Sequence, residues 1–415
     1  MARTVLKFGG TSVGDLDRIA NVAEIVAARA AKGEKMAVIV SAMSGETNKL
    51  VALADGAAGK DLPRSLYDDE YDVVVASGEQ VTAGLLALAL RRRGLKARSW
   101  LGWQLRLKTD NSHGRARIMG FDDSSLPDSI DSGEIAVVAG FQGVTDDFRV
   151  TTLGRGGSDT SAVAVAAALG AQVCDIYTDV DGVYTTDPRI VPKARRIDKI
   201  SYEEMLEMAS LGAKVLQTRS VELAMNHGVP VRVLSSFVKP GEESPGTLVC
   251  SEEEIVEKQV VSGVAYSRDE AKVTLYGVPD KPGSSAKIFS ALARAGVNVD
   301  MIVQASSREA SKANLVFTCT DRDSPFARET LEGLQAEVGY DRIEVIRDVS
   351  KISIIGVGMK SHTGVAEKMF TALSEKSINI DVIATSEIKI SVLIAAPYTE
   401  LAVRALHTAF GLDAD

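Results

Sequence analysis

Cysteine is scarce in this chain of 415 residues, and Cys174, Cys250 and Cys319 are odd in number and far apart. That excludes a disulfide framework and offers no zinc-ligand spacing, so a reducing cytosol is the expected setting. Histidine is scarce as well: His113, His227, His362 and His407 are scattered, with no metal-binding pair. Aromatics make up only 5% of the chain. The longest run of small apolar residues, 162–169, falls far short of the roughly 20 that a membrane helix needs. The chain enters Thr4-Val5-Leu6-Lys7-Phe8 without the apolar stretch of a signal peptide. A basic surplus is missing too. Lys plus Arg is 47 against 56 for Asp plus Glu, a net charge of −9, which argues against a general nucleic-acid binder. No G-x4-G-K-[ST] loop occurs, and Gly154-Arg155-Gly156 lacks the third glycine of a dinucleotide fingerprint.

What is abundant is aliphatic: 45% of residues are hydrophobic, a stock suited to a buried parallel sheet under helices. In the first half, strand patterns at 5–8, 37–41, 135–139, 173–178 and 231–234 alternate with helical ones at 15–31, 80–93, 160–169, 202–209 and 218–226. The pattern breaks at Lys239-Pro240-Gly241 through Pro245-Gly246, which reads as a domain boundary or as one surface loop. A repeat follows. Gly283, Phe289, Leu292, Asn298, Asp300 and Ile302 recur as Gly364, Phe370, Leu373, Asn379, Asp381 and Ile383, a shift of 81 residues. The preceding strands, 272–278 and 351–357, are 79 apart. Each unit reads strand, glycine turn, amphipathic helix, then a strand entered through Asn-x-Asp. Two such units are too few for a solenoid and suit a pair of small βα modules.

Three segments carry candidate chemistry. Lys7-Phe8-Gly9-Gly10-Thr11-Ser12-Val13 links the first strand to the first helix. There, glycines let backbone approach a ligand, a helix start favours an anion, and a lysine can meet a phosphate; a plain turn is the alternative. Thr151-Thr152-Leu153-Gly154-Arg155-Gly156-Gly157-Ser158-Asp159 again opens a helix and adds a guanidinium fork and a carboxylate. Thr178-Asp179-Val180-Asp181-Gly182-Val183-Tyr184-Thr185-Thr186-Asp187-Pro188-Arg189 follows a strand. In open α/β sheets ligands bind at such strand ends. In Ser77-Gly78-Glu79, Glu79 is expected to open a helix, where it either complements the helix dipole or grips an amine.

In order and spacing, these three motifs resemble the monofunctional aspartokinase family, and the resemblance covers essentially the whole chain. It implies an amino-acid-kinase fold, α/β with a mainly parallel sheet between helix layers, over 1–250. Two ferredoxin-like βα ACT domains would follow over 262–345 and 346–415. It also implies transfer of the γ-phosphoryl of ATP, with Mg²⁺, to the side-chain carboxylate of L-aspartate. Lys7, Asp159 and Arg155 would be catalytic. Lys7, Phe8, Gly9, Gly10, Ser41, Thr178, Asp179, Tyr184, Arg189, Lys214 and Val215 would face ATP, and no side chain is expected as a fixed metal ligand. Ser41, Thr47, Glu79, Arg155, Gly156, Gly157 and Ser158 would hold aspartate. Lysine, threonine or both would act as effector, with Asn298, Val299, Asp300, Gln304, Asn379, Ile380, Ser386 and Glu387 as contacts. A cytoplasmic homo-oligomer assembled through the ACT domains, without nucleic-acid or membrane partners, completes the expectation.

Overall fold

Alternating strands and helices organise the computed structural model, which describes residues 3–59, 61–122, 125–211, 215–238, 244–255, 259–306 and 311–413. Two units separate: Met1–Val183 with Arg196–Val256, and Tyr184–Arg195 with Glu257–Asp415. The break expected at 239–246 lies largely outside the described residues.

The first unit runs β1 (Arg3–Phe8), α1 (Leu16–Ala31), β2 (Lys35–Val40), α2 (Glu46–Ala58), α3 (Asp68–Arg92), β3 (Ala97–Trp100), α4 (Gly102–Leu105), β4 (Leu107–Thr109), β5 (Ile118–Phe121), α5 (Leu126–Asp131), β6 (Ile135–Ala139), β7 (Gln142–Val144), β8 (Val150–Thr152), α6 (Gly157–Leu169), β9 (Val173–Thr178), β10 (Lys199–Ser201), α7 (Tyr202–Ser210), α8 (Thr218–His227), β11 (Val231–Ser235) and β12 (Thr247–Cys250). Among the described residues, its main sheet has the order β10-β12-β11-β9-β1-β2-β6-β3. All pairs in it are parallel except β11 with β12. A smaller sheet, β5-β4-β7-β8, stands apart from it.

Strand alternation decides where the chemistry lies. Leu6 and Phe8 of β1 are buried in the core shared with α1 and α3, including Ile19, Val22, Val26, Leu86 and Leu90. Lys7 between them must face the opposite side, toward α6. Asp15 caps α1 by accepting the Arg18 N–H at 2.7 Å, a cap of about 1 kcal/mol. α6 is buried on all sides from Gly157 to Ala166; its alanines let it lie close to β1.

α3 departs from expectation. The reading placed a helix at 80–93 opened by Glu79, but α3 begins at Asp68, so Glu79 sits mid-helix and cannot complement the dipole at its start. Gly78 suggested a turn, yet it serves close packing: a Cβ there would stand 2.9 Å from Ala42 Cβ and 3.1 Å from Leu50 Cδ1. By length and composition alone α3 could also cross a bilayer, although it holds no long run of small apolar residues. Here it is a core helix, carrying the buried carboxylates Asp72 and Glu79.

The second unit continues with β13 (Gly263–Pro279), α9 (Ser284–Arg294), β14 (Val299–Ser306), β15 (Lys312–Cys319), α10 (Ser324–Val338), β16 (Arg342–Ile355), α11 (Val365–Ser374), β17 (Val382–Thr385), β18 (Lys389–Ala395) and α12 (Thr399–Ala409). Its antiparallel sheet has the order β14-β15-β13-β16-β18-β17. The repeat is realised in backbone: Gly283 and Gly364 cap α9 and α11 in the same left-handed conformation, at φ 95° and 85°. The division at 262 and 346 is drawn differently, because β13 serves both modules. Its later half packs with α9, β15 and α10 through Val273, Leu275 and Phe317. Its first residues pair with the end of β16, Gly263 opposite Ile355, and Val264 joins the core of α11 and α12. The first module is thus inserted into the second. The repeat gave no sign of this, since it begins only at Lys272.

Candidate active site

β1 lies between β2 and β9, so the chain departs to opposite sides of the sheet at the carboxyl ends of β1 and β9. In open α/β sheets this switch point forms the ligand crevice. Lys7 and Phe8 end β1 there, opposite Ile176 and Tyr177, and Phe8 stacks on Tyr177 with centroids 4.6 Å apart. Lys7 Nζ lies 2.5 Å from Asp159 Oδ1 in the first turn of α6, with both side chains largely buried. A Cβ on Gly9 would sit 3.5 Å from Lys7 Nζ, and one on Gly10 would sit 3.0 Å from the Ala42 carbonyl. The glycines leave the lysine open to the crevice.

From β2, Ser41 follows the strand end, its N–H donating to Phe8 O at 3.1 Å. Thr47 lies in the first turn of α2. Glu79 reaches the same edge from α3. Its Oε1 accepts the Ala42 N–H at 3.0 Å, while its buried Oε2 has no partner among the described residues. Burial pushes the Glu79 carboxyl up to about 7, against the opposing pull of that N–H. An unpaired buried carboxylate oxygen is costly unless something cationic meets it.

The Gly154–Ser158 turn closes the other side. Gly154 and Gly156 are left-handed, at φ 76° and 74°. Any side chain at Gly156 would strike Gln217, whose Cγ would lie 2.0 Å away. Between them Arg155 is exposed. Gly157 and Ser158 begin α6, which therefore starts three residues earlier than expected at Thr160. Thr178 ends β9, its hydroxyl donating to Asp179 at 3.1 Å. Val215 lies before α8, and Lys214 falls outside the described residues.

Tyr184 and Arg189 fall in the second unit, in its arm Tyr184–Arg195. Tyr184 rests against the core of the second module, and Arg189 is exposed and paired with Asp187 at 2.7 Å. Of the expected effector residues, Asp300 is engaged by Lys351 Nζ at 2.8 Å. Burial would raise the Asp300 carboxyl, but the Lys351 ammonium outweighs it and holds it below the usual range. By the repeat, Asp381 pairs with Lys272 at 3.1 Å. Asn298 and Val299 precede Asp300; Asn379 Nδ2 donates to Asp381 at 3.4 Å, and Ile380 packs on the second module's core. Gln304 accepts from Ser285 at 3.2 Å. Ser386 and Glu387 lie in the turn after β17, beyond its far end from Asn379. A cavity of about 530 Å³ beside His362, Lys368 and Phe410 includes none of the expected residues.

Two buried carboxylates were passed over. Asp72 in α3 accepts from His113 Nδ1 at 2.9 Å, Gly114 N–H at 3.0 Å, and the Thr152 N–H and hydroxyl at 2.9 and 2.5 Å. It anchors β8 two residues before Gly154. Asp175 in β9 accepts from Arg232 twice at 2.9 Å and also pairs with Arg29. Asp175 stands alone in the apolar run Val173-Cys174-Asp175-Ile176-Tyr177, whereas Asp72 closes the acidic stretch Asp68-Asp69-Glu70-Tyr71-Asp72 before Val73-Val74-Val75-Ala76. The isolation of Asp175 is the signal by which a buried ion partner could have been found.

Comparison with known proteins agrees with this geometry. The amino acid kinase family matches residues 2–235, and ACT domain families match 272–334 and 352–410. The aspartokinase of Pseudomonas aeruginosa is 53% identical over 416 residues, spanning 100% of this chain and 98% of that protein. Among solved structures, E. coli aspartokinase III with aspartate and ADP, in its R-state, superposes with a TM-score of 0.79 at 29% identity, covering 98% of this chain and 99% of that one. The same enzyme with lysine and aspartate, in its T-state, gives 0.77 at 29%, with the same coverage. The paired Lys7 and Asp159, the amino-acid-kinase sheet, the two ACT modules and full-length identity above one half together establish that this chain belongs to the aspartate kinase family, ATP-dependent kinases.

Proposed function

We propose that the reaction is transfer of the γ-phosphoryl of MgATP to the side-chain carboxylate of L-aspartate, giving 4-phospho-L-aspartate and ADP. The observations that carry this are the buried Lys7 ammonium at the end of β1 and the buried Oε2 of Glu79, which has no partner among the described residues. Such a pair suits a zwitterion whose amine meets a carboxylate while its own carboxylate meets a cation. A carboxylate with a pKa near 3.9 is ionised at pH 7 and attacks phosphorus without a general base. The protein's task is to align reactants and offset crowded negative charge. In this reading Lys7, held by Asp159, stabilises the phosphoryl in transfer, and Gly9 and Gly10 give it room. Glu79 takes the ammonium, Arg155 a carboxylate, and Ser41, Thr47, Gly156, Gly157 and Ser158 line the aspartate side. Thr178, Asp179 and Val215, with Lys214, take the nucleotide. Mg²⁺ enters with ATP as part of the substrate.

The E. coli enzyme crystallised with aspartate and ADP, and with lysine and aspartate, supports the same substrates and lysine as a ligand here; in our reading lysine, threonine or both act as effector at the ACT modules. Asp300 and Asp381 are the effector carboxylates of this reading, and an effector ammonium would compete with Lys351 or Lys272 for them. The product enters lysine, threonine, methionine and diaminopimelate synthesis, in the cytoplasm, from a homo-oligomer joined through ACT modules. A hydroxylamine trap tests the chemistry. Incubated with MgATP and single amino acids, the protein should yield an acyl hydroxamate with aspartate and not with glutamate or N-acetylglutamate; a hydroxamate from glutamate instead would refute the substrate.

A further inference from the structure

α3 carries two buried carboxylates, and the reaction as read above uses only Glu79. Asp72 precedes Glu79 by two helical turns, so the two share one face of α3, about 10 Å apart along its axis. Glu79 reaches the loop after β2, where it accepts the Ala42 N–H at 3.0 Å. Asp72 reaches the end of β8. It accepts from the Thr152 N–H at 2.9 Å and from the Thr152 hydroxyl at 2.5 Å. It also accepts from the Gly114 N–H at 3.0 Å and from His113 Nδ1 at 2.9 Å. An ionised carboxylate only accepts, so Nδ1 is the protonated nitrogen of that ring.

The chain beyond Thr152 is held step by step as far as Asp159. Thr152 O accepts from the Ala116 N–H at 2.9 Å. Leu153 donates its N–H to Phe141 O at 2.9 Å, and its carbonyl accepts from Arg219 Nη1 at 2.8 Å. The Gly157 N–H returns to Gly154 O at 3.0 Å and closes the turn. Two residues later Asp159 meets Lys7. Arg155 is the exposed member of this turn. An arginine side chain carries about 2 kcal/mol of rotamer entropy, so what the fold fixes is the backbone from which it extends. A buried carboxylate that engages both the N–H and the hydroxyl of one residue fixes that residue's place and its rotamer together. Asp72 does this to Thr152, three residues before Arg155.

We propose that Asp72 is a positioning residue for aspartate: by holding Thr152 it ties the Gly154–Ser158 turn, and with it Arg155, to the helix that carries Glu79. This rests on the roles given above to Glu79 and Arg155. One helix then sets both the ammonium grip and the carboxylate grip, and Asp72 governs affinity for the amino acid and not for MgATP.

The test measures both Michaelis constants of the full-length protein. Thr152→Val and Thr152→Ala remove the hydroxyl, Thr152→Ser keeps it, and Asp72→Asn exchanges an acceptor for a donor. The three that break the bond are expected to raise the aspartate KM about five-fold or more, with the MgATP KM within about two-fold of wild type. Thr152→Ser should stay within about two-fold of wild type for both. The Thr152 variants decide the matter, because Asp72→Asn also disturbs Gly114 and His113. A double-mutant cycle identifies the route. Added to Arg155→Ala, Thr152→Val should raise the aspartate KM less than about two-fold further, because the turn then has no guanidinium to place. An unchanged aspartate KM in folded Thr152→Val or Thr152→Ala overturns the proposal. So does an equal rise in both Michaelis constants, which a merely structural role gives, or a full additional rise on top of Arg155→Ala. A wild-type protein that phosphorylates no aspartate, or an Arg155→Ala variant with an unmoved aspartate KM, brings down the underlying reading and this proposal with it. An active wild type and an impaired Arg155→Ala beside indifferent Thr152 variants refute the positioning role alone.

Discussion

Lys7 is a cation whose Asp159 partner fixes it at the end of β1, beside Gly9 and Gly10. Lys7→Ala is expected to lower kcat by about 10²–10³-fold, the scale of losing one transition-state donor, while the aspartate KM moves little; near-normal turnover would remove Lys7 from the chemistry. Glu79 leads to a pH dependence. Its carboxyl is raised from 4.5 to about 7 by burial. Between those values the folded protein keeps a proton that the unfolded chain gives up, so Glu79 makes the ligand-free protein less stable as pH rises through that window, with no further change above it. Only the ionised form grips an ammonium. The aspartate KM should therefore fall as pH rises through about 7, and Glu79→Gln should show a raised KM without that trend. The same KM–pH curve in wild type and Glu79→Gln would refute the ammonium role.

α3 shows how one helix meets two demands. Gly78 and Gly84 are both helical glycines, and intrinsic propensity favours alanine at each by about 1 kcal/mol. A Cβ at Gly84 meets nothing within 4 Å, whereas at Gly78 it would press on Ala42 and Leu50. Gly84→Ala is expected to raise the Tm. Gly78→Ala should lower it, with overpacking costing about 1–3 kcal/mol; shifts of the same sign would show that α2 and the loop after β2 yield freely. The same helix marks where sequence was legible. The strands at 135–139 and 173–178 were readable to the residue, because buried parallel strands are continuous β-branched runs bounded by turn formers. The first half of α3 was not, because Gly78 carries the signature of a turn and only its neighbours in space reveal a contact. Lys7 and Asp159 were legible as members of two glycine motifs; their ion pair was legible only through the family likeness, since 152 residues of chain separate them. Asp72 and Asp175 needed partners from distant elements and carried no motif.

Across the whole second unit the internal repeat is expressed as crossed pairs: Lys351 of the second module holds Asp300 of the first, and Lys272 of the first holds Asp381 of the second. The two are unequal. Lys351 is buried and also meets the buried Glu270 at 2.9 Å, whereas Lys272 and Asp381 are more accessible. Lys351→Met leaves a buried carboxylate without its cation and is expected to cost about 3–5 kcal/mol in denaturant unfolding. Lys272→Met should cost about 1 kcal/mol or less. Equal losses would mean that burial of Glu270 is not what distinguishes the pairs. The arm is the other feature of this scale. Thr185 and His407 meet across 222 residues of sequence. During synthesis the arm leaves the ribosome with the kinase sheet, but Ile190, Val191 and Ala194 find their cover only when α12 has been made. A nascent chain halted in the repeats would carry a finished parallel sheet and an uncovered apolar loop, which makes the interval between the two a window for chaperone capture.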